Sequence, residues 1–216
     1  MGERGSKDKG STRERIVAEA FALFAERGFH AVSVRDIAAA VGIKDASLYN
    51  HFSGKQAIFD AIVAEALEQT RRTFGERRIL FDAGDDVTPY EGMGSERMRE
   101  LVLPSLRYFF DDPFMVRLRR LLVISQFESE EAARVYRFVF IEQPMALQQT
   151  IFEHLMATGE FARDDAAQLA LEFQSVPFML MHADMAWEEA APHLAAHVER
   201  FVRAHTAQGQ GMQAGE

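Results

Sequence analysis

Lys44, Asp45, Ser47 and Asn50 fall within one short polar run, and their side chains are of the kinds that read base-pair edges. An asparagine amide matches adenine at two points, a lysine ammonium donates to guanine or to phosphate, and a carboxylate accepts from cytosine. Tyr49, His51 and Lys55 stand beside them, with Ser33 and Arg35 upstream. Hydroxyl, imidazole, ammonium and guanidinium groups all donate to phosphate oxygens, which positions a protein on a duplex without reading its sequence. Several of these residues also have a quieter use. Asp45 and Ser33 are good helix caps, with the cap the preferred reading of Asp45, and His51 also suits a packed neutral ring.

Reading a groove requires that such a run lie on a helix held by other helices. Ile37, Ala38, Val41, Ile43 and Leu48 have the spacing that packs two short helices together, and Gly42 supplies the permissive backbone of a tight turn between them. Phe52 belongs to the same core. Ser11 with Glu14 and Ser33 with Asp36 have capping-box spacing, and Ser53 with Gln56 repeats it. The first helix then carries Ile16, Val17, Ala20, Phe21, Leu23 and Phe24 and stops at Gly28. A fourth, with Ile58, Phe59, Ile62, Val63, Ala66 and Leu67, runs to Phe74 or beyond.

Farther on, apolar faces of helical period follow one another and strand-like alternation is nearly absent, so the chain is expected to be all-α. A Gly-, Asp- and Pro-rich loop spans Asp82 to Ser95. Asp112-Pro113 and Ala191-Pro192 open helices, and Ser129 caps one running toward Ala157, with Gly159 after it. Long helices are expected from Asp164 to Glu188 and from Pro192 to His205. Pro104, Pro144 and Pro177 fall inside helices, where each bends the axis and frees a carbonyl one turn back, as at Phe140 and Phe173.

Aromatic and methionine side chains crowd this half, and bent helices leave volume between them. Phe110, Phe114, Phe127, Tyr136, Phe140, Phe173, Phe178, Met181 and His182 are the candidates to line a pocket for a small apolar molecule, core packing being the alternative. Arg117, Arg119 and Arg120 either meet an acidic head group or form a solvated face. Leu169, Phe173, Val176, Leu180, Leu194, Val198 and Phe201 form stripes suited to a dimer interface or to the interior.

The chain of 216 residues has no cysteine, which removes thiol catalysis, thiolate metal sites and disulfides. Nor does it hold a Gly-rich phosphate loop, a nucleophile elbow or a His-Glu-x-x-His pattern. No enzyme, cofactor or metal site is expected; His193 and His197, four apart, are read as solvated or core residues. With no long apolar run there is no membrane span to expect, and the compartment expected is the cytoplasm. The formal charge of −9 is uneven: residues 1–60 carry 9 Lys and Arg against 8 Asp and Glu, leaving 15 against 25 for the remainder. Only the N-terminal end suits a polyanion.

From Ser11 to Ala66 the chain resembles the tetracycline-repressor (TetR) family of bacterial transcriptional regulators. The likeness rests on the capped helices, on Gly42, on Leu48-Tyr49-Asn50-His51-Phe52 and on Ser53-Gly54-Lys55 after it. Lys44 stands where the family usually has a small hydroxyl residue, and Ala46 where it commonly has glycine. The resemblance implies a homodimer on double-stranded operator DNA, each subunit placing its third helix in the major groove of one half-site. The organisation expected is an arm at residues 1–10, a helix-turn-helix DNA-binding domain at 11–54, a helical ligand-binding and dimerisation domain at 55–207 and a tail at 208–216. The function expected is a repressor released by a small apolar effector. A helical small-molecule-binding protein or enzyme with a DNA-binding-like head is the alternative.

Overall fold

The computed structural model describes residues 11–77, 80, 83–92 and 95–207. The arm at 1–10 and the tail at 208–216 lie outside the described residues. The described residues form α-helices α1 (Thr12–Arg27), α2 (Val34–Val41), α3 (Asp45–Leu48), α4 (Lys55–Arg77), α5 (Ser95–Asp111), α6 (Pro113–Ser125), α7 (Glu130–Arg137), α8 (Gln143–Ala157), α9 (Ala166–His182) and α10 (Trp187–His205). A 3-10 turn at Thr88–Tyr90 and a π-helical segment at Phe138–Glu142 complete them, and the sole strand-like pairing among the described residues is an isolated bridge between Phe161 and Thr206. No helix among the described residues is long and apolar enough to cross a membrane.

The chain divides into two compact units, Met1–Thr70 with Arg117–Tyr136, and Arg71–Val116 with Arg137–Glu216. In the first, Ile16, Ala20, Phe24, Ile37, Ala38, Leu48, Ile58 and Val63 are fully buried. Phe29 lies 5.3 Å from Phe24 and 5.1 Å from Phe59, ring to ring. In the second, Phe152 stacks on Phe201 at 5.2 Å, Phe173 meets Phe201 edge-on at 5.1 Å, and Leu155, Leu169 and Val198 fill in around them. Leu169, Phe173, Leu180, Leu194, Val198 and Phe201 are therefore interior residues, which removes them as an interface stripe.

Helix ends follow local chemistry. Both capping boxes at Ser11 and Ser33 are closed, and Asp112 accepts from the backbone of Phe114 and Met115 ahead of Pro113. Ser129 caps α7 through Ala132. Three expectations need correction. The fourth helix begins at Lys55, so Gly54 rather than Ser53 precedes it, and Gln56 donates its amide to Asp60. The helix expected to reach Glu188 stops at His182, because Asp184 adopts φ 55° and Met185 N–H bonds back to the Leu180 carbonyl, closing the helix as a glycine would. The last helix starts at Trp187, where Glu188 and Glu189 favour a first turn, and Pro192 lies inside it.

The internal prolines shape the second unit. Just ahead of Pro144 the helix widens into the π segment, since the proline ring cannot accommodate the Phe140 carbonyl one turn back. Pro177 likewise leaves the Phe173 carbonyl without its helical donor, and His197 on α10 supplies one from Nε2 at 2.8 Å. That bond fixes the tautomer with the proton on Nε2, and burial holds the ring's pKa below its ordinary 6.5. Below that pH the unfolded chain binds more protons than the folded one. The stability contributed by His197 is therefore complete above pH 6.5 and declines as the pH falls below it. His197→Phe is expected to lower unfolding free energy by about 1 kcal/mol at neutral pH and to remove that acid-side decline. Urea titrations of both proteins across pH check this; an unchanged pH dependence contradicts it.

Candidate nucleic-acid interface and ligand cavity

The turn between α2 and α3 is closed by two backbone bonds, Gly42 N–H to Ala39 O at 3.1 Å and Ile43 N–H to Ala38 O at 3.0 Å. Together they form a Schellman motif, which requires the left-handed backbone that Gly42 adopts at φ 77° and ψ 35°. Arg15 on α1 donates to the Val41 carbonyl and ties the first helix to this turn. On the other side Leu48 is fully buried and Phe52 nearly so, and Arg13 lies over the Phe52 ring at 4.9 Å while pairing with Glu65. The short helix α3 is thus held from inside by its apolar residues.

The polar residues of α3 and its flanks stay accessible. The helix expected to carry the whole polar run ends at Leu48, so Tyr49, Asn50 and His51 lie in the turn after it; these three and Lys44 ahead of it are exposed, and Ser47 is half-exposed. Asp45 is not the cap expected of it: α3 begins at Asp45, Lys44 occupies the cap position without a side-chain bond, and the carboxylate faces Arg35 at 3.3 Å. The pair joins α2 to α3 on the exposed side. Ser33 does cap α2, and its hydroxyl and backbone N–H hold the Asp36 carboxyl below the usual carboxylate range.

Lys55, expected as a phosphate contact, is engaged within the protein. Its ammonium donates to the carbonyls of Phe29 at 2.7 Å and Val32 at 2.8 Å and sits 4.3 Å over the Phe29 ring. These carbonyls belong to the loop between α1 and α2, so Lys55 clamps that loop to the start of α4. Nothing in the sequence near Lys55 signals this, because the partners are backbone atoms more than twenty residues away.

A cavity of about 390 Å³ lies wholly in the second unit, between α5, the π segment, α8 and α9, with Phe74 of α4 on its wall. Five of the nine expected residues line it: Phe110, Phe140, Phe173, Phe178 and Met181. Four do not. Phe114 and His182 lie outside the lining, Phe127 is 88% exposed past the end of α6, and Tyr136 is buried in the first unit. His182 instead bonds the Phe178 carbonyl through Nδ1 and stacks on that ring. Burial raises the Tyr136 hydroxyl's pKa, with Arg119 opposing it. Arg119 is itself buried, which corrects its reading as solvated, and no arginine lines the cavity among the described residues. The sequence reading missed Phe74, Phe109, Val102, Gln148 and Gln174. Glutamines set in the apolar faces of α8 and α9 were the signal available for the last two.

Residues 16–62 match the family model of bacterial regulatory proteins of the tetR family. The chain is 30% identical over 149 residues to the HTH-type transcriptional repressor KstR2 of Mycobacterium tuberculosis, covering 69% of this chain and 66% of that protein. The chain belongs to the TetR family. The Rhodococcus jostii KstR2 is 41% identical over 78 residues, 36% of this chain and 37% of that protein. Across these two relatives the chain thus matches between about a third and two thirds of their length. A solved TetR-family regulator from Mesorhizobium loti shares the fold, with a TM-score of 0.66, 20% identity and coverage of 91% of this chain and 97% of that one. The TetR-family match spans α1 from Ile16 to the first turns of α4, the stretch that holds the capped turn and α3.

Two substitutions test how the TetR-type head is held. Gly42→Ala meets no atom within 4 Å, so its cost is conformational alone, about 1–2 kcal/mol. Lys55→Met leaves two carbonyls unpaired and is expected to destabilise by about 1–3 kcal/mol. Thermal unfolding of both variants reads these losses; a Lys55→Met protein as stable as the parent contradicts the clamp.

Proposed function

We propose that this chain is a sequence-specific DNA-binding transcriptional regulator, a repressor that a small, largely apolar effector releases from its operator. The observation carrying this reading is the segment around α3, where Lys44 at its cap, Ser47 within it and Asn50 in the turn just past its end stay accessible while Leu48 and Phe52 anchor the same segment inside a capped three-helix head. Asn50 pairs with adenine in the major groove, and Lys44 donates to guanine or phosphate. Tyr49 and His51 donate to phosphates, joined by Ser33 and by the Arg35 guanidinium, which Asp45 orients. Lys55 supports the surface from behind.

The regulator acts as a homodimer on a twofold operator, with half-sites about 34–36 Å apart or a multiple of that. Leu171 and Met179, 54% and 59% exposed on α9, supply apolar surface for pairing while the buried stripe serves the interior. Acidic residues concentrated after residue 60 keep the rest of the chain off the polyanion. The effector occupies the cavity beside Phe140 and Phe173 and favours the dimer whose heads do not fit adjacent grooves. A preference of about 1.4 kcal/mol for that state weakens operator binding tenfold. Both KstR2 relatives carry the name of transcriptional repressor, in keeping with this reading.

Binding of purified full-length protein to DNA from upstream of its own gene tests the proposal. Asn50→Ala is expected to lose about 1–3 kcal/mol of discrimination at one base pair per half-site and little elsewhere. His51→Ala is expected to weaken binding to all sequences and to lower the salt slope by about 1 per half-site. Equal weakening of every sequence by Asn50→Ala removes its base-reading role.

A further inference from the structure

The cavity wall is uniform in one respect that bears on what it holds. Among its described lining residues none is Lys, Arg, His, Asp or Glu. Its polar side chains are Ser105, Ser175, Gln148, Gln174 and the hydroxyl of Tyr90, which burial holds neutral by raising its pKa, set among phenylalanines, leucines and methionines. An ion brought into such a wall loses its water and meets no counter-charge, a far larger penalty than a neutral group faces.

Gln148 is the focus of this polarity. It is 9% exposed, and its Oε1 accepts from Nε2 of Gln174 across the gap between α8 and α9 at 3.3 Å. That bond leaves the NH2 of Gln148 and the carbonyl of Gln174 available to an occupant. Exchanging N and O in both amides only exchanges the roles, so a donor and an acceptor stand side by side in either assignment. A hydroxyl or primary amide, which donates and accepts at once, matches that pair. Hydrogen-bonding sites of this kind discriminate strongly, because a molecule lacking the group leaves buried polar atoms unpaired.

We propose that the effector is an electrically neutral, largely aromatic or alicyclic molecule, anchored by one hydroxyl or amide group on the Gln148 and Gln174 pair, and that the cavity rejects anions of the same shape. This rests on the reading of the cavity as the effector site. It also removes Arg117, Arg119 and Arg120 as partners for an acidic head group here, since none of the three is among the residues that line the cavity.

Two matched probe pairs test it on the full chain. N-phenylnaphthylamine and its sulfonated analogue, anilinonaphthalene sulfonate, share a ring system and differ in charge. The signal compared is the part of the fluorescence gain that Ser105→Trp, which fills the cavity, removes. The neutral probe is expected to bind at least about tenfold more tightly than the anion. Competition by naphthol and by methylnaphthalene then reads the glutamines. Naphthol is expected to compete better, and Gln148→Leu or Gln174→Leu to erase the difference; the second variant, at a less buried position, serves should the first not fold. Equal binding of the sulfonate overturns the neutral class and leaves the cavity reading standing. A naphthol preference that survives both leucine variants overturns the anchor. No signal removed by Ser105→Trp with either probe overturns the cavity reading as well.

Discussion

The left-handed turn at Gly42 is the constraint on which the reading surface depends. Without a residue that accepts positive φ there, the two bonds to Ala38 and Ala39 do not close, and α3 has no fixed exit direction from α2. Arg15 and Lys55 work on the same problem from outside. Each donates a cationic side chain to loop or helix-end carbonyls, so the short α3 is located by its neighbours. A helix of four residues has almost no stability of its own, and its position is a tertiary property.

Much of this head was legible in sequence because its determinants are local. Capping boxes, a turn glycine and apolar spacing act within a few residues, and Ser11, Ser33, Gly42, Leu48 and Phe52 all took the structural places their neighbours dictated. The cap reading of Asp45 failed, and the support Lys55 gives was not legible, for one reason: their partners, Arg35 and the carbonyls of Phe29 and Val32, are brought to them only by folding. The end of α9 was misplaced because aspartate at residue 184 does what the eye looks for in glycine.

In the second unit the prolines were the readable signal, and they pointed correctly to the Phe173 carbonyl. The donor that relieves it, His197, was seen only as half of a spaced histidine pair. Helical periodicity separates inside from outside but not core from cavity, since both demand the same apolar residues. Phe127 therefore passed as a lining candidate although it is exposed, and Gln148 and Gln174 went unnoticed although they supply the cavity's central polar pair.

The head and the cavity pose different physical problems. On the proposed function, one presents polar groups to a polyanion from a chain whose charge is otherwise unfavourable, and the other encloses an apolar molecule with little electrostatic help. The most direct test of the first is the stoichiometry and selectivity of the wild-type complex, measured by light scattering and fluorescence anisotropy on upstream DNA at low salt with excess unrelated competitor. The account predicts two chains, or a multiple of two, bound to a fragment of twofold character that competitor does not displace. A chain that remains monomeric and follows total DNA regardless of sequence contradicts it.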